Sequence, residues 1–245
     1  MKESIIKILH FILGYERYLK IFSIFKIRTL SLDRRKSDFL FFNELLGENA
    51  TIVVIGACTG ITTIPLAKGK ANRKVFAYEP LTSNFKVLNR VVSYFNLNNA
   101  FSYNLGLGNK TEKREIILPI LKGVKKQGMA HIKDSAILEY NEGLSEMIEL
   151  DVLDNRKEIN TTKIDAIKIV AENFEYQIFE GAKKIIENNK PLIYCELWDN
   201  ERRNMVLELI TKYNYNVFCR KGNTLIPYDK KNYSGKNFFF KPTNA

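Results

Sequence analysis

The chain of 245 residues carries 38 basic and 27 acidic side chains, a formal net charge of +11, and is 45% apolar. That accommodates one large α/β domain with a full core, and the charge favours an anionic partner: a membrane surface, a glycan or a nucleic acid. Three well-separated cysteines without a C-x-x-C pair, and only two histidines, exclude a disulfide framework and a structural zinc site and point to a reducing, cytoplasmic compartment.

Residues 1–46 read as a basic, amphipathic N-terminal helical segment. Over residues 1–36, nine basic side chains face three acidic ones, so this stretch holds +6 of the chain's +11. Ile5, Ile8, Leu9 and Ile12 recur at helical spacing, followed by Tyr18, Ile21, Phe22, Ile24 and Phe25. Two readings stay open here. One is an interfacial segment with its cations on anionic lipid, which makes the protein membrane-peripheral. The other is a helical cap packed on the domain with a solvated basic face. Lys7 and His10 interrupt the first apolar stretch and no A-x-A-like cleavage site follows it. No run reaches the roughly 18 uncharged apolar residues of a membrane span.

Residues 47–245 carry the pattern of a doubly wound sheet. A helix over 38–46 leads into a buried parallel strand at 52–55. Gly56 and Gly60 turn the backbone into a helix over 61–67, and a second strand, 74–78, ends on Glu79. A helix over 83–95 and strands over 101–105 and 113–118 follow, with a loop through Gly106, Gly108 and Asn109 between the strands. Residues 119–160, punctuated by Gly123, Gly128 and Gly143, read as an irregular insertion covering the substrate side of the sheet, with strand-like alternation over 147–152. Then come a strand at 164–170, a helix over 174–187, a strand at 191–197, a helix over 200–213, and late strands at 216–219, 224–226 and 237–241. The expected fold is a Rossmann-like α/β sheet of about seven strands with the last one antiparallel.

The spacing Gly56-x-x-x-Gly60, in place of G-x-G-x-x-G, makes a pyrophosphate-bearing dinucleotide the poorer ligand. S-adenosylmethionine, with ribose and adenine but no phosphate, suits the loop, and Glu79 at the end of the second strand is placed to hold ribose hydroxyls.

Several segments in order resemble the FkbM family of S-adenosylmethionine-dependent methyltransferases over roughly residues 50–200. Val53-Val-Ile-Gly-Ala-Cys-Thr-Gly-Ile61 is similar to the family's V-x-D-I-G-A-N-x-G, and Phe76-Ala-Tyr-Glu-Pro80 with Asn84-Phe-Lys-Val-Leu88 and Asn96-Leu-Asn-Asn99 to its F-E-P segment. Asn104-Leu-Gly-Leu-Gly-Asn109 resembles its N-x-A-L turn. The stretch from Ile164 to Ala182 resembles I-D-F-I-K-I-D-V-E-G-A-E … L-x-G-A. The resemblance implies a class I methyltransferase fold and O-methyl transfer to a small-molecule or glycan acceptor, often a sugar hydroxyl of a glycolipid, polysaccharide or natural product. It further implies that Gly56, Ala57 and Gly60, with Val54, Cys58 and Val170 around them, approach the methionine part of the cofactor. By the same resemblance Glu79 holds the ribose, Asn104 lies near the adenine, and Glu172 and Glu175 sit beside the transferred methyl as acceptor-binding or basic groups.

The chain departs from the family pattern where the motif acids fall. Val54 and Val170 stand at the two Asp positions, Cys58 at the Asn and Asn173 at the Gly. The two valines are expected to face one pocket, where an acid would pair with an ammonium, place the acceptor or take its proton. Three readings follow: a degenerate domain that binds without turnover, an enzyme that works through Glu79 and Glu172 instead, or an active site silenced by paired Asp-to-Val changes. Glu196 is a further strand-end acid. Cys58 has no histidine near it in sequence and reads as a small loop residue, and His131 as a structural or exposed side chain. No metal-ligand cluster and no N-P-P-[YF] base-flipping motif is present, so nucleic acid is not the expected partner.

Overall fold

The leading residues fold as helices in the computed structural model, which describes residues 2–134, 137 and 139–243. α1 (Lys2–Leu13) and α2 (Tyr15–Arg28) are separated by Gly14, whose φ of 74° lies in the region glycine enters without a Cβ penalty. α3 (Ser37–Leu45) buries Phe39, Phe41 and Phe42. β1 (Thr51–Ile55) is buried along its whole length, as its β-branched run demands of a strand covered on both faces. α4 (Thr63–Lys68), β2 (Lys74–Tyr78), α5 (Thr82–Tyr94) and β3 (Ala100–Tyr103) complete the first half of the sheet.

The chain then leaves the sheet through β4 (Gly106–Gly108), β5 (Glu112–Leu121), β6 (Val124–Lys125), β7 (His131–Ile132) and β8 (Gly143–Val152). α6 (Lys157–Asn160) brings it back to β9 (Ala166–Ile169). α7 (Glu175–Glu180), α8 (Lys183–Asn189), β10 (Leu192–Glu196), α9 (Glu201–Lys212), β11 (Tyr215–Lys221), β12 (Thr224–Pro227) and β13 (Asn237–Pro242) finish it.

The main sheet has eight strands in the order β12-β11-β13-β10-β9-β1-β2-β3. β3, β2, β1, β9 and β10 are parallel, and β13 inserts antiparallel between β10 and β11. β12 adds a hairpin strand at the edge. Because β1 is followed on one side by β2 and flanked on the other by β9, the winding reverses there, and a crevice opens at the carboxyl ends of these strands. Alternation along β1 divides the core. Val53 and Ile55 pack with Phe174, Ile178 and Val206 on one face, and Ile52 and Val54 with Phe39, Ile64 and Leu88 on the other.

Two stretches differ from the sequence reading. Residues 119–160 are anchored by a long antiparallel pair, β5 with β8, in register from Glu112↔Leu150 to Pro119↔Gly143. β4 joins β8 in parallel, so the expected Gly106 loop is in part a strand. The single helix expected over 174–187 is broken at Gly181. A Cβ there would lie 1.9 Å from the Gly108 carbonyl oxygen, so the chain turns at this contact. α8 restarts with the Asp154 carboxylate accepting from the Lys184 and Ile185 amides. Gly181→Ala is therefore expected to destabilise the protein by about 2–3 kcal/mol, read as a lower urea midpoint at unchanged m-value.

Candidate active site at the carboxyl ends of the strands

A cleft of about 660 Å³ including its open mouth lies at the β1/β9 switch point. Its floor is Ile55, Gly56, Glu79 and Val170; its walls include Leu105, Leu107, Ile116, Ile132 and Phe174; Gln127, Gly128 and His131 of the excursion cover it.

Glu79 is 4% exposed and organises the floor. Its Oε2 accepts from the Cys58 amide at 2.7 Å, and its Oε1 from the Leu81 amide at 3.1 Å and Asn84 Nδ2 at 3.2 Å. Burial holds its pKa above the usual carboxylate range against the pull of these donors. Three of about four lone-pair sites are thus filled, and one remains on Oε2. Beside it, Asn84 Oδ1 is buried and has no hydrogen-bond partner, on a residue that lines the cleft. The two acceptors suit a vicinal diol.

The residues expected around Glu79 divide. Gly56 and Cys58 line the cleft. Gly56 has a φ of 72°, and a Cβ there would lie 1.9 Å from the Val170 carbonyl oxygen, so its glycine is demanded by the β1–β9 junction. Cys58 takes a φ of 50°, and burial followed by the Glu79 charge pushes its thiol up to about 12, which removes it as a nucleophile. Ala57 and Gly60 are buried away from the cleft; a Cβ at Gly60 would meet Leu88. The amides of Gly56 and Ala57 are both spent on the Tyr78 carbonyl. Asn104 does not line the cleft either. Its Nδ2 donates to the carbonyls of Glu79 and Pro80 and fixes the turn before α5.

The expectation that Val54 and Val170 face one pocket is corrected. Val170 lines the cleft, whereas Val54 is fully buried on the α3–α5 face of the sheet. In the β1–β9 register Val54 lies opposite Lys168. The Lys168 ammonium is 4% exposed, donates to the Gly56 carbonyl at 3.1 Å, and has no ion pair among the described residues. Burial, with Lys36 adding to it, lowers its pKa to about 8. An Asp at position 54 would meet this lysine and not the cleft.

Of the two glutamates expected near the methyl, only Glu172 lines the cleft. Burial, then repulsion from Glu196 and Glu175, raises it to about 7, and Trp198 Nε1 donates to its Oε2 at 3.2 Å. Glu172 and Asn173 have φ of 47° and 76° in succession. That left-handed pair explains why the family carries glycine at position 173, with Asn the next most tolerant residue. Glu175 turns inward and accepts from the Ala171 amide at 2.9 Å, stabilising this strained turn. Glu196 pairs with Lys236 at 2.5 Å. Next to Glu172 an open groove of about 1030 Å³, solvent space included, is lined by Trp198, Tyr140, Asn173, Asn200, Glu139 and Lys236, together with Ile137 and Asp199.

His131 is buried in the cleft wall, with Nδ1 3.1 Å from the Met129 carbonyl and Nε2 3.2 Å from Asn141 Oδ1. Asn141 Nδ2 donates to Ile137 O, which sets the amide's orientation. Both ring nitrogens thus lie within hydrogen-bond distance of a carbonyl oxygen, which fixes the ring in the wall.

A doubly wound sheet with its cleft at the first switch point is the architecture of class I methyltransferases. A family model described as the methyltransferase FkbM domain matches residues 55–217, and the chain belongs to this family. Among solved structures, a methyltransferase FkbM from Methylobacillus flagellatus KT is similar at TM-score 0.51 and 17% identity, over 80% of this chain and 44% of that one. The chain thus spans less than half the length of that protein. A SAM-dependent O-methyltransferase from Thermotoga maritima aligns at TM-score 0.50 and 13% identity, over 88% of this chain and 70% of that one. No curated protein matches the sequence.

The cofactor the family implies is S-adenosylmethionine, and the residues fit it. Glu79 Oε2 and the unpartnered Asn84 Oδ1 offer acceptors to ribose hydroxyls, and the aliphatic wall suits an adenine ring.

Two measurements check the site's electrostatics. A double-mutant cycle of V54D with K168M is expected to give a favourable coupling of about 1–3 kcal/mol in unfolding free energy, the worth of the ion pair across β1 and β9. For Glu172, a folded pKa near 7 against an ordinary value near 4.5 means the native state keeps a proton the unfolded chain has lost. Its contribution to stability is full below about pH 4.5 and is lost as pH rises through about 7. Glu172→Gln should match the wild-type Tm near pH 4 and exceed it near pH 8; a pH-independent difference would contradict the assignment.

Proposed function

We propose that this chain is an S-adenosylmethionine-dependent O-methyltransferase acting on a sugar hydroxyl of a glycan, glycolipid or natural product. The observation that carries the reading is the position of Glu172. It lines the cofactor cleft, while Trp198, which holds it by a hydrogen bond, lines the neighbouring groove. An acid between donor and acceptor sites, with a pKa near 7, is matched to general-base work at neutral pH. The cofactor, when bound, supplies an electrophilic methyl on its sulfonium. Glu79 and Asn84 would hold its ribose, and Glu172 takes the proton from the acceptor hydroxyl as its oxygen attacks. Trp198 and Tyr140 offer aromatic faces to a sugar ring, and Asn173, Asn200 and Glu139 offer hydrogen bonds.

Val54 lies outside the cleft, so the degenerate-domain reading rests on Val170 alone, beside which Glu172 supplies an acid. In this proposal residues 47–245 are the methyltransferase unit, with 119–160 on the substrate side. Residues 1–46 attach it to an anionic membrane, and no nucleic acid takes part. Three free thiols fit a cytoplasmic setting.

Calorimetry with S-adenosylhomocysteine tests the donor half. Wild type is expected to bind, and Asn84→Ala to bind about tenfold more weakly through loss of one buried acceptor. No heat from wild type at about millimolar ligand would end the enzyme reading. Trp198 is the only tryptophan, so quenching of its fluorescence by oligosaccharides, absent with simple polyols, tests the acceptor half.

A further inference from the structure

The N-terminal helices have two apolar faces, and the fold uses only one. On the inner side, His10 stacks edge-on against Tyr15 and Tyr18, and α2 buries Leu19 and Ser23. α2 is tied to the domain by Ser23 Oγ donating to Thr59 at 2.7 Å, by the Glu16–Arg90 ion pair at 2.7 Å, and by Arg28 donating to the Tyr94 hydroxyl at 2.7 Å. The outer face of α1 presents Ile5, Ile8, Phe11 and Ile12 at 54%, 58%, 92% and 69% exposure. Their spacing of three, three and one residues keeps them on one side of the helix. α2 adds Ile21 and Phe25, one turn apart and 55% and 60% exposed. Six large side chains held out by a docked helical pair form a continuous demand for burial that ordinary surface scatter does not produce.

Cations accompany them. Arg17 and Lys20 line a groove of about 910 Å³, open space included, with Leu13, Ile21, Ile24 and Tyr94. Neither cation has a carboxylate partner among the described residues. Apolar side chains beside unpaired cations match an acyl layer beneath a layer of phosphates. A second copy would bring one +6 segment onto another. No helix among the described residues is long and apolar enough to cross a bilayer, so the contact lies in the plane of the surface.

We propose that the outer face of α1 and α2 is a docking surface for an anionic phospholipid bilayer, with Ile8, Phe11 and Ile12 inserted and Arg17 and Lys20 on lipid phosphates. It rests on the methyltransferase reading only for its purpose, the presentation of a lipid-linked acceptor. α2 reaches the cofactor loop through Ser23 and Thr59, and α1 runs beside the β5–β6 hairpin, where Lys7 approaches Gly123. The docked surface therefore adjoins the covered end of the cleft.

The test is cosedimentation of the full chain with vesicles of phosphatidylcholine alone and with about one-third phosphatidylglycerol. Wild type is expected to bind only the anionic vesicles, and less as salt rises. The pairs I8E/F11E and R17E/K20E are each expected to weaken binding at least tenfold, by about an order of magnitude in partition constant. These positions are exposed or on the groove rim, so thermal unfolding checks that both variants keep the fold. Equal binding by the variants, or no binding by wild type at low salt, overturns the proposal. So does a lipid-free dimer that I8E/F11E dissolves, which would make a second copy the occupant. Cofactor calorimetry on the same samples separates the two readings: binding of cofactor without vesicles defeats only the docking surface, and binding of vesicles without cofactor defeats only the enzyme.

Discussion

One buried carboxylate holds the cleft end of this molecule together. Glu79 gathers the amide of Cys58 from the loop after β1, the amide of Leu81 from the turn before α5, and the side chain of Asn84 from α5 itself. A carboxylate in so dry a place is costly unless its lone pairs are met, and here most of them are. The consequences spread outward. The loop is fixed with Cys58 in a left-handed conformation, α5 starts where the carboxylate places it, and the Asn84 amide, its nitrogen held by Glu79, leaves its oxygen buried without a hydrogen-bond partner. An acid that looks like a ligand contact is first of all a structural tie, and its ligand capacity is what that tie leaves over.

The second constraint is the closeness of β1 and β9. The Gly56 backbone rests on the Val170 carbonyl with no room for a side chain, and Lys168 closes the junction from behind by donating to the Gly56 carbonyl. This explains why motif matching brought Val54 and Val170 together in error. Both sit near the ends of neighbouring strands, but Val54 is inside β1 and obeys its alternation, while Val170 lies just beyond β9 where the chain turns into the cleft. The residue at 54 therefore bears on a buried lysine and on packing within the sheet, and the acids that line the cleft are Glu79 and Glu172.

The excursion between β4 and β9 shows a different limit. Its two long strands pair across more than twenty residues of intervening chain, and nothing local in the sequence declares such a partner. Once they pair, the short turn carrying Gln127 and the strand carrying His131 are laid over the cofactor cleft. The leading helices show the reverse case. Their pattern allowed either a packed cap or an interfacial face, and the fold contains both, because α1 is apolar on two sides and only one side finds the domain.

The sequence by itself determined the parallel strands, the switch point after β1, the acid at the end of β2 and the family. Each of these rests on local rules: an apolar run, glycines where φ turns positive, an acid at a strand end. Only the tertiary structure decided which of the matched residues reach the cleft. Glu172, Glu79, Gly56, Cys58 and Val170 do; Ala57, Gly60, Val54, Asn104 and Glu175 serve packing and turns. It also added Asn84, His131 and Trp198, whose roles follow from what lies beside them and not from their neighbours in the chain. The physical reason is the same throughout. Local conformation is set by the residues adjoining in sequence, whereas exposure, hydrogen-bond satisfaction and charge are set by segments that meet only when the sheet closes.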